Sequence, residues 1–497
     1  MKKTSIVLTL LVFCIRIYSQ EVVFDRYITL KSFFKEKRES FPIVNSEKEE
    51  VLLFLLDNAE IKAVKFNKDF EMMDTFSMER PIIKFNVPLG HSIDDEGYHL
   101  FFSNDKYNEF YTQSIDFNSK NAVDKELLLK LNEERFLETI SYNDNFYLIT
   151  IKKRSSILKI YTFEGNNLLR TDELDFSDHN FSNNGYSRLF DVFGENNGTF
   201  KLFMKVHKID NTNPNPLDLT TKENKIYYYN GHIYITLDNN IENTKIITIS
   251  LSDYSNKVDF YNQLDISCGE STIIKSNSYL FMDYLYQIKG CKYELSFRVI
   301  DLKNNSIVKA YRVKENEEIN FRNTPIIQEG GVTIFAQEIE KELEVTKQIL
   351  KKISTSDIGI TARLSNNNIE LTMGGYKDFQ TGVIGAGGMK IPTSISNIET
   401  PYGTLSRPAT YHYNPTMYGY SSYTNSRAVY FKSLLETTEF NHVTGEVTDN
   451  AYDKIKDYVK DKDEVMLSKT IFKIDNHYVL GYYIKAERKY YLIRFEE

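Results

Sequence analysis

The chain has 497 residues, 14% of them aromatic with 35 Tyr, 33 Phe and no Trp, and a formal charge of −8. An acidic chain with interspersed charges lacks the basic face that nucleic acid demands, and charge alone does not draw it to anionic lipid. Tyr, Phe, Ile and Thr suit half-buried pleated surfaces, so the composition favours sheet.

The N-terminus reads as an export signal. Lys2 and Lys3 precede an apolar run over 4–15, and Ile17-Tyr18-Ser19-Gln20 follows. Charge, apolar core and small residue in that order make a secretory signal peptide over 1–20, with cleavage after Ser19 or Gln20. A membrane anchor is disfavoured because the run is short and Arg16 interrupts it. A lipoprotein anchor at Cys14 is disfavoured by Phe13, where a small residue is required. Without 1–20 the charge is about −11. No later stretch could span a bilayer as a helix. The expected location is the periplasm, the outer-membrane surface or the exterior.

From there one phrase recurs: an alternating run, an Asn- or Asp-rich turn, a second run, a polar turn and a third run. The pairs are 51–56 with 61–66, 98–102 with 110–117, 146–151 with 157–163, 232–237 with 245–251, and 279–288 with 292–302. Near the end come 466–474, 477–485 and 490–495. Period-two alternation between Asn, Asp and Gly turns is the mark of strands joined as hairpins. The turn after the second run falls at Asn67, Asn118, Asn166, Ser252 and Asn304, in steps near 50 with one of 86 that marks an insertion.

A period of about 40–50 residues with about four strands per unit resembles the β-propellers. The resemblance lies in repeat length and strand count, covers most of the mature chain, and singles out no family. A Trp-Asp blade signature is absent, and Kelch-type double glycines are confined to Gly330-Gly331 and Gly374-Gly375 apart from the pair in the glycine run at Gly387-Gly388. The resemblance implies an all-β fold, a single propeller of seven or eight blades over 21–497. The last unit has three strands and the run 22–30 has no hairpin partner, so the N-terminal strand is expected to complete the C-terminal blade and hide its edge.

Cys268 precedes the first strand of one unit and Cys291 sits at its middle turn. An even pair in an oxidising compartment predicts a disulfide between them. Three segments break the rhythm. The stretch 210–224, with Pro214 and Pro216, reads as a loop insertion; 336–353 suits either a helix or a long hairpin; 450–462 has helical spacing with Asp449 as N-cap. The longest irregular stretch, 376–425, holds Gly385-Ala386-Gly387-Gly388 and many tyrosines, and a loop of that length invites a functional reading.

Chemistry-bearing motifs are scarce. There is no Gly-x-Ser-x-Gly elbow, no HExxH and no Cys-x-x-Cys. His91 and His99 flank Asp94-Asp95-Glu96, which reads as a solvated turn, as does Asp175-Phe176-Ser177-Asp178-His179, because a calcium loop needs six or more spaced ligands. Gly385–Gly388 lacks the strand, helix and Lys-Ser/Thr of a phosphate loop, and Pro392 opposes a helix there. Neither a metal nor a cofactor is expected. The candidate contact residues are Arg407, Tyr411, Tyr413, Tyr418, Tyr420, Tyr423 and Arg427, since Tyr and Arg are enriched at binding hot spots and tyrosine rings stack on sugars. The bland alternative is that these tyrosines pin the loop to the domain surface.

Two functions follow. The first is an envelope binding or scaffold protein whose loops meet a protein or glycan. The second is a carbohydrate-active propeller hydrolase or lyase with acids, or a Tyr/His base, at a central funnel.

Overall fold

The computed structural model describes residues 20–30, 39–57, 60–82, 84–181, 188–194, 206–270, 272–329, 340–377, 399–400, 403–404, 413–424, 428–460 and 462–497. Residues 1–19 of the signal peptide expected over 1–20, and the glycine run at Gly385–Gly388, lie outside them. Nearly all of the regular structure is antiparallel sheet, arranged in two compact units: one of 1–79 with 450–497, the other of 80–449.

The first unit holds two four-stranded sheets. One is β2 (Glu39–Asn45), β3 (Glu50–Leu56), β4 (Glu60–Asn67) and β5 (Met72–Glu79), in that order. The other runs β1 (Gln20–Tyr27), β32 (Lys489–Glu496), β31 (His477–Ile484), β30 (Met466–Ile474). The lone N-terminal run thus pairs with the last strand, in register from Gln20↔Phe495 to Tyr27↔Lys489. Asp25 and Lys489 form an ion pair across this seam at 3.0 Å, and Glu21 pairs with Arg494. Phe24, Val51, Leu53, Phe66, Phe472 and Tyr490 belong to one buried cluster that joins the two sheets, with Phe24 edge-on to Phe66 at 4.9 Å.

The second unit repeats the plan. Its first sheet is β6 (Val87–Asp94), β7 (Gly97–Ser103), β8 (Glu109–Asp116), β9 (Asn121–Lys130), and its second is β10 (Glu134–Tyr142), β11 (Asn145–Lys152), β12 (Ile157–Glu164), β13 (Asn167–Asp175). After the short helix α1 (Leu189–Phe193) comes a five-stranded sheet. It comprises β14 (His207–Lys208), β15 (Asn224–Tyr229), β16 (His232–Leu237), β17 (Asn243–Ser250) and β18 (Asn256–Asn262). The 210–224 insertion carries a helical turn, α2 (Leu217–Thr220). The fourth sheet is β19 (Lys275–Phe281), β20 (Tyr284–Gly290), β21 (Glu294–Asp301), β22 (Ser306–Lys314). The fifth contains β23 (Ile326–Gln328), β24 (Lys341–Leu343), β25 (Asp357–Ser365), β26 (Asn368–Tyr376) and β29 (Ala428–Glu436), ordered β24-β23-β29-β26-β25. A two-stranded piece, β27 (Glu399–Thr400) with β28 (Gly403–Thr404), and the helices α3 (Thr346–Ile353) and α4 (Pro415–Thr424) also belong to this unit, whereas α5 (Ala451–Val459) belongs to the first.

The meanders explain the sequence pattern. Tight turns at Asn143-Asp144, Asn230-Gly231 and Asn366-Asn367 hold left-handed φ at both positions, the geometry that two-residue hairpins require and that Asn, Asp and Gly tolerate. Burial falls off across each sheet. Its middle strands are almost wholly covered, whereas β5, β9, β13, β18 and β22 are largely exposed. Leu128 on β9 is fully exposed. A row of meanders, each with one covered and one exposed end strand, is the pattern that resembles propeller blades.

Four expectations need correction. The run 279–288 is two strands, β19 and β20, because the chain turns at Met282-Asp283 with Met282 at φ 54°. Met is not a turn residue, so composition hid this turn. The helix α5 is capped by Asn450, not Asp449. Asn450 Oδ1 accepts from Tyr452 N and Asp453 N at 2.7 and 3.2 Å, while the Asp453 carboxylate accepts from Asn450 N at 3.1 Å, a reciprocal box that Asp449 cannot make. The 336–353 segment is neither wholly helix nor wholly hairpin: β24 is followed by α3, and 336–339 lie outside the described residues. The 376–425 stretch is not irregular throughout, since α4 occupies its end.

The predicted disulfide is present. Cys268 and Cys291 are bonded, with Cα atoms 6.6 Å apart, tying the linker before β19 to the β20–β21 turn. One fully buried ion pair braces the third and fourth sheets. Lys225 Nζ donates to Lys222 O, Asp238 Oδ2 and Asn277 Oδ1 at 2.6, 2.9 and 2.7 Å. Asp238 also accepts from Ser278 N, Ser278 Oγ and Thr244 Oγ1.

Candidate functional site

Strands β26 and β29 are neighbours, paired from Asn368↔Glu436 to Tyr376↔Ala428. Most other neighbouring strands are joined by short turns. Here the chain leaves at Tyr376 and returns at Ala428, so the tyrosine-rich segment is an insertion between two strands already in register. The pairing tolerates no bulk at its root, because a Cβ on Gly374 would lie 2.0 Å from Val429 O.

The returning end is helical. Pro415 starts α4 with φ already set for a helix, and Asn414 Oδ1 accepts from Met417 N at 3.1 Å. Gly419, Ser421, Ser422 and Thr424 are weak helix formers, and the tyrosines follow no single face, which is why sequence pattern missed this element. Tyr413 and Tyr420 are buried, while Tyr418 and Tyr423 are half-buried. Tyr418 packs against two hydrophobic clusters, one containing Phe101 and Phe146 of the first two sheets and one containing Tyr279 and Phe431 of the later sheets. Thr416 Oγ1 accepts from Asn213 Nδ2 at 3.4 Å. Arg407, Tyr411 and Arg427 lie outside the described residues, so the structure brings together four of the seven candidates, Tyr413, Tyr418, Tyr420 and Tyr423, at one place.

Tyr413 reaches β6. Its Oη lies 2.5 Å from His91 Nδ1, with the two rings 5.7 Å apart. Burial pushes the His91 imidazole down to about 4 and the Tyr413 phenol well above its ordinary range, so the pair meets as neutral imidazole and neutral phenol. β6 is shaped for this contact. Its ladder is bulged between Pro88 and Gly90, and a Cβ at Gly90 would stand 2.7 Å from Ser141 Oγ. That approach lets His91 N donate to Ser141 Oγ at 2.8 Å and Thr139 Oγ1 donate to Leu89 O at 2.8 Å. β10 carries its own bulge, between Phe136 and Glu138. The Glu138 carboxylate, 2% exposed, meets Lys208 Nζ at 3.4 Å. The strand that meets Tyr413, β6, is thus tied by Ser141 and Thr139 to β10, and β10 is tied by Glu138 to Lys208 of β14.

A second constellation escaped sequence reasoning. His99 Nδ1 lies 2.8 Å from Ser114 Oγ and its Nε2 lies 2.8 Å from Asp94 Oδ1, while Asn166 Nδ2 donates to Ser114 Oγ at 2.9 Å. No local motif flags it, since the residues come from β6, β7, β8 and the β12–β13 turn of the next sheet. In a Ser-His-Asp triad the imidazole takes the hydroxyl proton and the carboxylate orients the ring. Here, however, His99 is buried, Ser114 stands mid-ladder on β8, and Asn166 from the adjoining sheet already occupies the hydroxyl. The arrangement staples the first sheet to the second. Among the described residues, no group of three or more His, Cys, Asp or Glu side chains is placed to hold a metal ion, and no helix is long and apolar enough to cross a membrane.

No family model matches this chain, and no curated protein matches it in sequence. Among solved structures it is similar to an oligogalacturonate lyase in complex with manganese, at 5% identity over 95% of this chain and 89% of that one, with a TM-score of 0.33. It is similar to the WD40 domain of SCAP from fission yeast, at 10% identity over 96% and 91%, with a TM-score of 0.26. A Synechocystis apocarotenoid oxygenase mutant matches at 6% identity over 57% of this chain, with a TM-score of 0.26, and the chain spans 62% of its length. Similarities of this size carry no argument about activity. The likeness to propellers rests on the repeated meanders themselves.

Proposed function

We propose that this chain is an exported binding or scaffold protein of the bacterial envelope, built as a single propeller over 21–497. Seven blades are the preferred count, with β1 closing the C-terminal blade. The insertion at 376–425 is the contact element for a protein or glycan partner, through Arg407, Tyr411, Tyr413, Tyr418, Tyr420, Tyr423 and Arg427. One observation carries this reading: a long segment inserted between two strands that are already neighbours, anchored at its returning end by Tyr413 on His91. Insertions of that kind add nothing to the sheet they interrupt, and long loops on rigid scaffolds are where recognition concentrates.

The test replaces 378–412 with a short Gly-Ser linker in the otherwise full chain. Both proteins are tagged, returned to the native host and cross-linked in place. The reading expects an unchanged melting temperature and loss of the partner that the parent captures. A deletion variant that keeps every captured partner refutes it.

One observation favours the second reading, a carbohydrate-active enzyme. A neutral imidazole and a phenol at 2.5 Å are the parts of an acid–base pair. Uronate-containing polysaccharides, assayed for new unsaturated ends, would support it if turnover occurs in the parent and disappears in Tyr413→Phe. No turnover on a broad glycan panel removes it.

A further inference from the structure

The face that the fourth sheet turns toward the third carries a polar row unrelated to the tyrosine insertion. Its orientation is fixed by hydrogen bonds. Gln287 Nε2 on β20 donates to Thr244 Oγ1 on β17 at 3.1 Å and to Tyr261 O on β18 at 3.2 Å, and Arg298 on β21 reaches Asn262 O. Lys289 lies two residues beyond Gln287 and so shares this face. Its cross-strand neighbours are Ser276 on β19 and Ser296 on β21.

Lys289 is 6% exposed and forms no hydrogen bond or ion pair with any described residue. The carboxylate that could have matched it is committed elsewhere. Glu294 pairs with Arg312 Nε at 3.0 Å and accepts from Ser267 N at 3.3 Å. Beside Lys289, Ser276 Oγ is buried without a hydrogen-bond partner. So is Gln263 Oε1, whose own Nε2 meets the same Thr244 Oγ1 that Gln287 reaches. Two buried oxygens, Ser276 Oγ and Gln263 Oε1, are thus left without a hydrogen-bond partner among the described residues, on the face that Lys289 shares. Proteins rarely leave buried polar oxygens unmatched, and a lysine with no carboxylate partner beside them offers a cation to an anion that would use them.

The three groups also share a frame. Gln263 follows β18 and Ser276 is the second residue of β19, so they stand at the two ends of one linker. The Cys268–Cys291 disulfide pins that linker to the turn just past Lys289.

We infer that Lys289, Ser276 and Gln263 form a binding site for a small hydroxyl-bearing oxyanion, a hydrogen phosphate or a hydroxy-carboxylate. The ammonium and the serine hydroxyl would donate to the anionic oxygens, and Gln263 Oε1 would accept from the ligand hydroxyl. The disulfide holds the cradle closed around it.

The test is thermal unfolding of the full mature chain in sodium phosphate, in sodium glycolate and in sodium chloride of equal ionic strength. Phosphate or glycolate is expected to raise the melting temperature by several degrees in a saturable way, and the more effective anion identifies the class. Lys289→Met is expected to abolish that rise while melting no lower than the parent in chloride, since it removes an unmatched charge. Ser276→Ala keeps the lysine, and is expected to shift half-saturation several-fold to higher anion with an unchanged melting temperature in chloride. It decides the matter should Lys289→Met fail to fold. No saturable rise in the parent, or an equal rise in Lys289→Met or in Ser276→Ala, overturns the site.

Discussion

The Lys225–Asp238 pair offers the most exacting test of the energetics. Both side chains are fully buried, and all three ammonium protons are used, toward Lys222 O, Asp238 Oδ2 and Asn277 Oδ1. Lys225→Met removes the cation and leaves a buried carboxylate held only by Ser278 and Thr244. Breaking a buried pair from one side costs about 3–5 kcal/mol, because the remaining charge is uncompensated. Asp238→Asn strands the ammonium in the same way and should cost a similar amount. The double variant removes both charges, so its cost should fall short of the sum by about 2 kcal/mol or more. Urea unfolding reads this directly. At a slope of about 3 kcal/mol/M, each single variant lowers the midpoint by about 1 M. With no Trp in the chain, tyrosine emission and far-ultraviolet circular dichroism are the signals. Single variants that each cost under about 1 kcal/mol, or strict additivity, would show that the pair does not brace the two sheets.

Other outcomes follow from the same structure. Acid should weaken the fold through His91. The unfolded imidazole takes up a proton as pH falls below about 6.5, the folded one resists until about 4, and stability declines across that window by about 2–3 kcal/mol. His91→Asn should flatten that part of the pH profile, measured as urea midpoints between pH 7 and 4. Tyr413→Phe removes its hydrogen bond with His91 and should cost about 1 kcal/mol at neutral pH by the same assay. Replacing Cys268 and Cys291 together by Ser releases a loop with a sequence separation of 23 and should cost about 3 kcal/mol, seen as a lowered midpoint in the variant and in the reduced parent alike. Gly374→Ala should disrupt the β26–β29 pairing at its root, detected as faster hydrogen exchange at Val429 and Tyr430.

Sequence carried the architecture further than the site. Strands announce themselves through alternation, and Asn, Asp and Gly at the hairpin turns mark where they reverse, so most of the meanders were legible. The pairing of the first strand with the last followed from counting, since one run had no partner and one sheet lacked a strand. The outer strands were harder to read. β9 and β13 expose both faces, so Asn121–Lys130 and Asn167–Asp175 show no clean apolar period. The turn at Met282-Asp283 was invisible because its backbone geometry is imposed by the flanking ladder. At the site, tyrosine density located the insertion, but not the helix within it or its contact with His91. That contact spans 322 positions and depends on a bulge at Gly90, neither of which leaves a local trace.

The seam between β1 and β32 has a temporal side. Asp25 waits for a partner 464 positions downstream, so the leading strand leaves the ribosome long before its neighbour exists. During that interval its backbone amides and carbonyls are an open template, with Val22 and Tyr27 already presented outward. The sheet that β1 completes therefore cannot form until the last strand has been made. A chain cut short before β32 would carry a sticky end with nothing to cover it, and clearance by proteases or aggregation would be its fate.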